Sequence, residues 1–155
     1  MEAYYIIIRG PLGIGKSTIA ERLSKILNAK YVAIDRIVDN LKLITKEKEA
    51  GYRSQKNFIK ANEIAVEKIK KILVNGKPVI FDGNFYWKSA IQDLEKRLRD
   101  YKGYVFTLKA PLKICIQRDD NRNKTHGKEV HGTGTQKSIL EALATGISNF
   151  RRRTS

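Results

Sequence analysis

Gly10 to Ser17 reads G-P-L-G-I-G-K-S, a full match to G-x-x-x-x-G-K-[ST], set between the apolar run "AYYIIIR" and a segment of helical periodicity. The chemistry needs each part. Glycines let the backbone curl so that consecutive N–H groups point at phosphate oxygens, and the following helix adds its positive N-terminal end. Lys16 is a movable cation that can follow β- and γ-phosphates, and the Ser17 hydroxyl is a ligand for Mg²⁺. Gly10, Pro11, Leu12, Gly13, Ile14, Gly15, Lys16, Ser17 and Thr18 are therefore expected to line the polyphosphate of a nucleoside triphosphate. ATP is the expected donor, and nothing in the motif separates it from GTP. A chance glycine turn is the alternative, disfavoured by the strand before and the helix after.

In open parallel sheets, ligands meet the carboxyl ends of the strands. "YVAID" reads as a second strand ending at Asp35, and "PVIFD" as a third ending at Asp82. A carboxylate at Asp35, near the phosphates, can accept the proton of an attacking hydroxyl; the alternative is an N-cap for the segment that follows. Asp82 can hold Mg²⁺ through water or bind the acceptor. Arg36 and Asn84 suit acceptor contacts, with surface turn chemistry as the alternative. In "RDDNR", Arg118 and Arg122 stand four apart and share one face of a helix end. Arginines on a flap offset the charge of a transferring γ-phosphoryl group and exclude water, which separates a kinase from a hydrolase. Pairing with Asp119 or Asp120 on a solvated helix is the alternative. Lys16, Asp35, Arg118 and Arg122 are thus the catalytic candidates. Ser17 and Asp82 are the metal candidates, and Asp35, Arg36, Asp82 and Asn84 the acceptor contacts.

These residues need a scaffold that gathers strand ends. A first strand in "AYYIIIRG" is buried on both faces, and Ile19, Leu23, Ile26 and Leu27 mark the helix after it. "RIVDNLKLI" reads as helical, Gly51 as an interruption, and Phe58 to Leu73 as a longer amphipathic helix stopped by "NGKP". Ala90, Ile91, Leu94 and Leu98 mark another helix, "GYVFTL" a fourth strand, and "PLKICIQR" a helix opened by Pro111. Arg118 to Thr135 is polar and aperiodic, a mobile flap or a disordered stretch. Ile139, Leu140, Leu143, Ile147 and Phe150 indicate a last helix, and "NFRRRTS" reads as a frayed basic tail, with nucleic-acid contact as the alternative. Strands alternating with helices predict an α/β fold with a parallel sheet.

The length, 155 residues with 41% hydrophobic, suits one domain over 1–155, with a lid at about 118–135. The single Cys115 excludes an internal disulfide and suits a buried small side chain. No apolar stretch is long enough to span a membrane, and the early strand leaves no room for a signal peptide. A cytoplasmic monomer or homodimer is expected. Thirty-one Lys and Arg against 16 Asp and Glu give +15, which favours polyanionic partners, nucleic acid among them. A lysine-rich soluble surface is the alternative, because the excess is scattered. His126 and His131 lack a third ligand, and Gly132 with Gly134 has no strand before it.

An Asn-Lys-x-Asp guanine-reading motif is missing, since "NKTH" lacks the aspartate. An AAA or ABC-type ATPase would normally be larger. The chain resembles small P-loop kinases of the nucleoside-monophosphate-kinase-like group, with branches containing polynucleotide 5′-hydroxyl kinase, gluconate kinase, shikimate kinase and chloramphenicol phosphotransferase. "GPLGIGKST", "IDR", "VIFDGN", "LKAP" and "RDDNR" carry that resemblance across roughly Tyr4 to Arg122. It implies a three-layer α/β P-loop NTPase fold, with a parallel sheet of four or five strands flanked by helices and a short lid. It also implies ATP- and Mg²⁺-dependent transfer of a γ-phosphoryl group to a hydroxyl or phosphate acceptor. Asp35 would be the base or an acceptor ligand, and Arg118 and Arg122 the lid arginines. "HGKEVHGTGTQKSILEAL" shows no strand pattern, so a four-stranded sheet with the last helix in the fifth position stays open. The rival class is a nucleotide-binding regulatory module, or an NTPase with little transferase activity.

Overall fold

Three consecutive isoleucines explain the centre of the molecule: Ile6, Ile7 and Ile8 are all buried, which requires cover on both faces of their strand. In the computed structural model, which describes residues 2–11, 13–41, 48–49, 52–126 and 150–152, this strand is β1 (Tyr4–Arg9). It pairs in parallel with β5 (Val79–Gly83) on one side and β6 (Lys102–Thr107) on the other. β2 (Lys30–Ala33) extends the sheet beyond β5, also in parallel, and is its edge.

Alternation sorts the strand side chains into two cores. Tyr5, Ile7, Phe81 and Val105 face α2 (Ile34–Asn40), α3 (Gln55–Val74) and α4 (Lys88–Arg97), packing with Phe58, Ile69 and Leu94. Ile6, Ile8 and Ile80 face α1 (Lys16–Ile26) and pack on Ala20. Helices, sheet and helix make three layers, as the strand and helix alternation predicts. α3 begins at Ser54, whose Oγ accepts the Asn57 N–H at 3.3 Å, and stops at Asn75 and Gly76. No helix among the described residues is long and apolar enough to cross a membrane.

Four local expectations are corrected. Asp35 does not end a strand: β2 stops at Ala33, and Asp35 lies in the first turn of α2, where a carboxylate favours the helix N-terminus. A two-residue antiparallel pair, β3 (Lys48–Glu49) with β4 (Tyr52–Arg53), lies where no strand is expected, and Gly51, read as an interruption, lies outside the described residues. Arg118 to His126 is not aperiodic coil but the second half of α5 (Leu112–His126). Long polar side chains are good helix formers, so a helix can form there without an apolar period. Phe150 belongs to no helix, and "FRR" is no frayed tail: β7 (Phe150–Arg152) pairs antiparallel with β6 and fills the open edge of the sheet. Main-chain pairing of that kind needs no side-chain pattern. The helix expected over 139–147, the lid residues beyond His126, and Leu12, His131, Gly132 and Gly134 lie outside the described residues.

Candidate active site

The glycine-rich turn ends at Gly15, whose φ of +95° is left-handed and whose missing Cβ would meet nothing within 4 Å. A side chain there would be strained and would enter open space above the first turn of α1, the space an anion needs. Lys16 and Ser17 open that helix, where first-turn N–H groups lack acceptors within the helix. Lys16 is buried, and its Nζ donates to the Pro11 carbonyl at 2.9 Å, so the ammonium rests on its own loop.

Three elements meet at Asp82, a buried carboxylate near the end of β5. Ser17 Oγ donates to Asp82 Oδ2 at 2.8 Å, and Tyr31 Oη, from β2, donates to the same oxygen at 2.8 Å. Burial, then the bond to this carboxylate, pushes the Tyr31 phenol up to about 12, so it stays a neutral donor. The Ser17 hydroxyl and Asp82 carboxylate are oxygen donors of the kind that suits Mg²⁺. No cluster of three or more His, Cys, Asp or Glu suited to a metal occurs among the described residues.

Asp35 sits across from this pair. Its Oδ2 and Oδ1 accept the Asn84 main-chain N–H at 3.0 and 3.2 Å. Burial raises its pKa to about 7, and the nearby Asp82 charge adds to that; the Lys16 ammonium and the Asn84 N–H oppose it. Lys16, Asp82 and Asp35 therefore share one electrostatic neighbourhood at the carboxyl ends of β1, β5 and β2. Asn84 Nδ2 donates to Tyr86 Oη at 3.0 Å, so its side chain serves this loop.

Arg36 and Arg118 are both exposed. α5 begins beside the glycine-rich turn, where buried Cys115 packs against Ile14, and Arg118 lies one turn further along. Burial pushes the Cys115 thiol up, as suits a packing residue. The structure thus brings Lys16, Ser17, Asp35, Asp82 and Asn84 together, and leaves Arg36 and Arg118 facing solvent. Arg122 lies on α5, and its side chain is outside the described residues.

Sequence reasoning missed two residues. Tyr31 could have been found from its place in a short strand, one alternation from an apolar face and four residues before Asp35. Arg9 is buried at the end of β1, with Nη2 donating to the Phe85 carbonyl at 3.2 Å. Its only sequence signal was a charge inside an apolar strand.

A family model described as an AAA domain matches residues 6–143. The chain belongs to this family. The AAA label, disfavoured above on size, holds as a family name. Several of the solved structures that this AAA-domain chain resembles are named as kinases. A chain of the Pnkp1/Rnl/Hen1 RNA repair complex aligns with a TM-score of 0.75 and 19% identity over 98% of this chain and 49% of that one. The AAA-domain chain thus spans about half the length of that relative. A gluconokinase from Sinorhizobium meliloti 1021 aligns at 0.63 and 14% identity, covering 89% of this chain and 74% of the other. The Mycobacterium tuberculosis APS kinase CysC, solved with AMPPNP and APS, aligns at 0.62 and 17% identity, covering 84% and 78%. At such identities the likeness shows a shared fold. No curated protein matches the sequence.

Proposed function

We propose that the protein is a kinase that moves the γ-phosphoryl group of ATP to a hydroxyl of a second substrate. The observation that carries this reading is the meeting of the phosphate-loop residues Lys16 and Ser17 with two carboxylates in different states. Asp82 is held by two hydroxyl donors, while Asp35 has a pKa raised to about 7. A carboxylate with a pKa near neutrality is suited to general-base work. Asp35 takes the proton of the acceptor hydroxyl as its oxygen bonds to the γ-phosphorus, the β–γ bridging P–O bond breaks, and ADP leaves with that electron pair. Lys16 exchanges the Pro11 carbonyl for phosphate oxygens and offsets their charge. Mg²⁺, held by Ser17 and Asp82, would neutralise charge on the β- and γ-phosphates. Arg118 and Arg122, on α5 beside the loop, are assigned to cover the transferring group and exclude water, and Arg36 and Asn84 to contact the acceptor. The APS kinase neighbour, solved with AMPPNP, supports an adenine nucleotide as donor.

The test is transfer of label from γ-³²P-ATP with Mg²⁺ to sugars, nucleosides, nucleotides and 5′-hydroxyl oligonucleotides, with Lys16→Ala as control. Acceptor-dependent labelling that Lys16→Ala abolishes is the expected result. ADP release that no acceptor accelerates would instead favour a module that hydrolyses little.

A further inference from the structure

Beside the open edge of β2, a groove of about 230 Å³ runs between that strand, α2 and α3. Its floor is apolar, with Val32, Ile37 and Ile69. Its rim is cationic: Lys30, Arg36 and Lys68 line it, all three are exposed, and no carboxylate does. None of the three has an ion pair among the described residues.

The spacing decides what kind of anion fits. Lys30 and Ala33 bound a strand about 10 Å long at the usual rise per residue, and Arg36 lies beyond its end. One small anion cannot span that rim, whereas a chain of phosphates can, and the apolar floor suits a sugar or base face between them. Three like charges with no ion-pair partner among the described residues also repel one another, a cost that a polyanion removes. Arg36, at one end of the groove, follows Asp35 in α2. We propose that this groove binds the backbone of a single-stranded nucleic acid. The overall charge of +15 acts in the same direction. The proposal holds whether or not the end of that strand is the phosphoryl acceptor.

The test is fluorescence anisotropy of a fluorescein-labelled single-stranded 12-mer, as RNA and as DNA, over a salt series. Three phosphate contacts predict a log–log salt slope of about −2 or steeper. In Lys30→Gln/Lys68→Gln the slope should become shallower by about 1.4, with affinity falling about tenfold at 0.1 M salt. Binding of a fluorescent ATP analogue should be unchanged, which separates loss of the groove from loss of the nucleotide site or of the fold. A double variant that keeps the wild-type slope and affinity overturns the proposal. So does equal binding of a poly-glutamate peptide of matching charge, which would point to an acidic protein.

Tyr31 carries a second, independent inference, which rests on the proposed role of Asp82 as a metal ligand. Two hydroxyls converge on Asp82 Oδ2, one from the phosphate loop and one from the strand that leads into Asp35. Ser17 is committed to the metal when nucleotide binds, so Tyr31 is the donor free of other duty. We infer that Tyr31 is a positioning residue that fixes the Asp82 carboxylate for Mg²⁺. Tyr31→Phe removes the hydroxyl and keeps the packed ring. The Mg²⁺ concentration at half-maximal tightening of fluorescent-ATP binding should rise about five- to tenfold, while metal-free nucleotide affinity stays the same. An unchanged Mg²⁺ midpoint overturns the inference. A wild type whose nucleotide binding ignores Mg²⁺ overturns the underlying reading, and this one with it.

Discussion

The two halves of the candidate site are built by different means. At the phosphate end, Lys16 rests on Pro11, five residues away, and the residues that matter are consecutive. At the acceptor end, Asp35 is held by Asn84, 49 residues away, and Asp82 by Tyr31, 51 residues away. The first half is a local structure that any strand and helix pair can carry. The second exists only once β2 and β5 lie side by side in register, with Ala33 opposite Asp82. On the proposed reading, nucleotide recognition is modular and acceptor chemistry depends on the packing of the sheet.

Three changes probe that division, in order of expected effect. Lys16→Ala strikes the local half and should lower phosphoryl transfer by roughly 10²–10³-fold, the usual cost of losing one electrostatic stabiliser. A cooperative melting transition should remain, since no side chain of either hydrophobic core is removed. Transfer at wild-type rate would break the assignment.

Asp35→Asn strikes the other half and should reduce transfer about 10²-fold, the low end for a general base. The pH dependence is the sharper readout. Only the ionised carboxylate accepts a proton, so kcat/KM should rise with pH through a midpoint near 7, and the variant should lose that limb. Stability follows the opposite sign. The native state keeps its proton from 3.8, the ordinary value, up to about 7, so stability should fall as pH rises across that window. Denaturant titrations of Asp35→Asn should show a flatter profile there.

Ser54→Ala touches neither half and serves as the baseline. It removes the N-cap of α3 and should cost about 1 kcal/mol, with kinetics unchanged. A kinetic effect would mean that α3 helps to shape the acceptor wall.

Legibility in the sequence followed the same division. The strand, glycine turn and helix from Tyr4 to Ile26 could be read in full, because one contiguous motif states both its structure and its chemistry. Asp35, Asp82 and Asn84 were found as strand-end residues, although Asp35 proved to open a helix. The hydrogen bonds that orient them were not legible, since pairing across a parallel sheet leaves no local trace. Tyr31 and Arg9 were missed for that reason, and β7 because main-chain pairing to β6 needs no side-chain pattern. α5 was not legible beyond Arg118 because its polar sequence carries no apolar period.

The place of β1 has a consequence for how the chain reaches this state. Tyr5 has its partners at Val79 and Gly103, so β1 stays unpaired until β5 and β6, far along the chain, have been made. Three adjacent isoleucines wait exposed through that interval, and the high contact order implies slow assembly with an aggregation hazard during translation. Expression yield should consequently respond more to temperature and synthesis rate than the stability of the finished molecule would suggest.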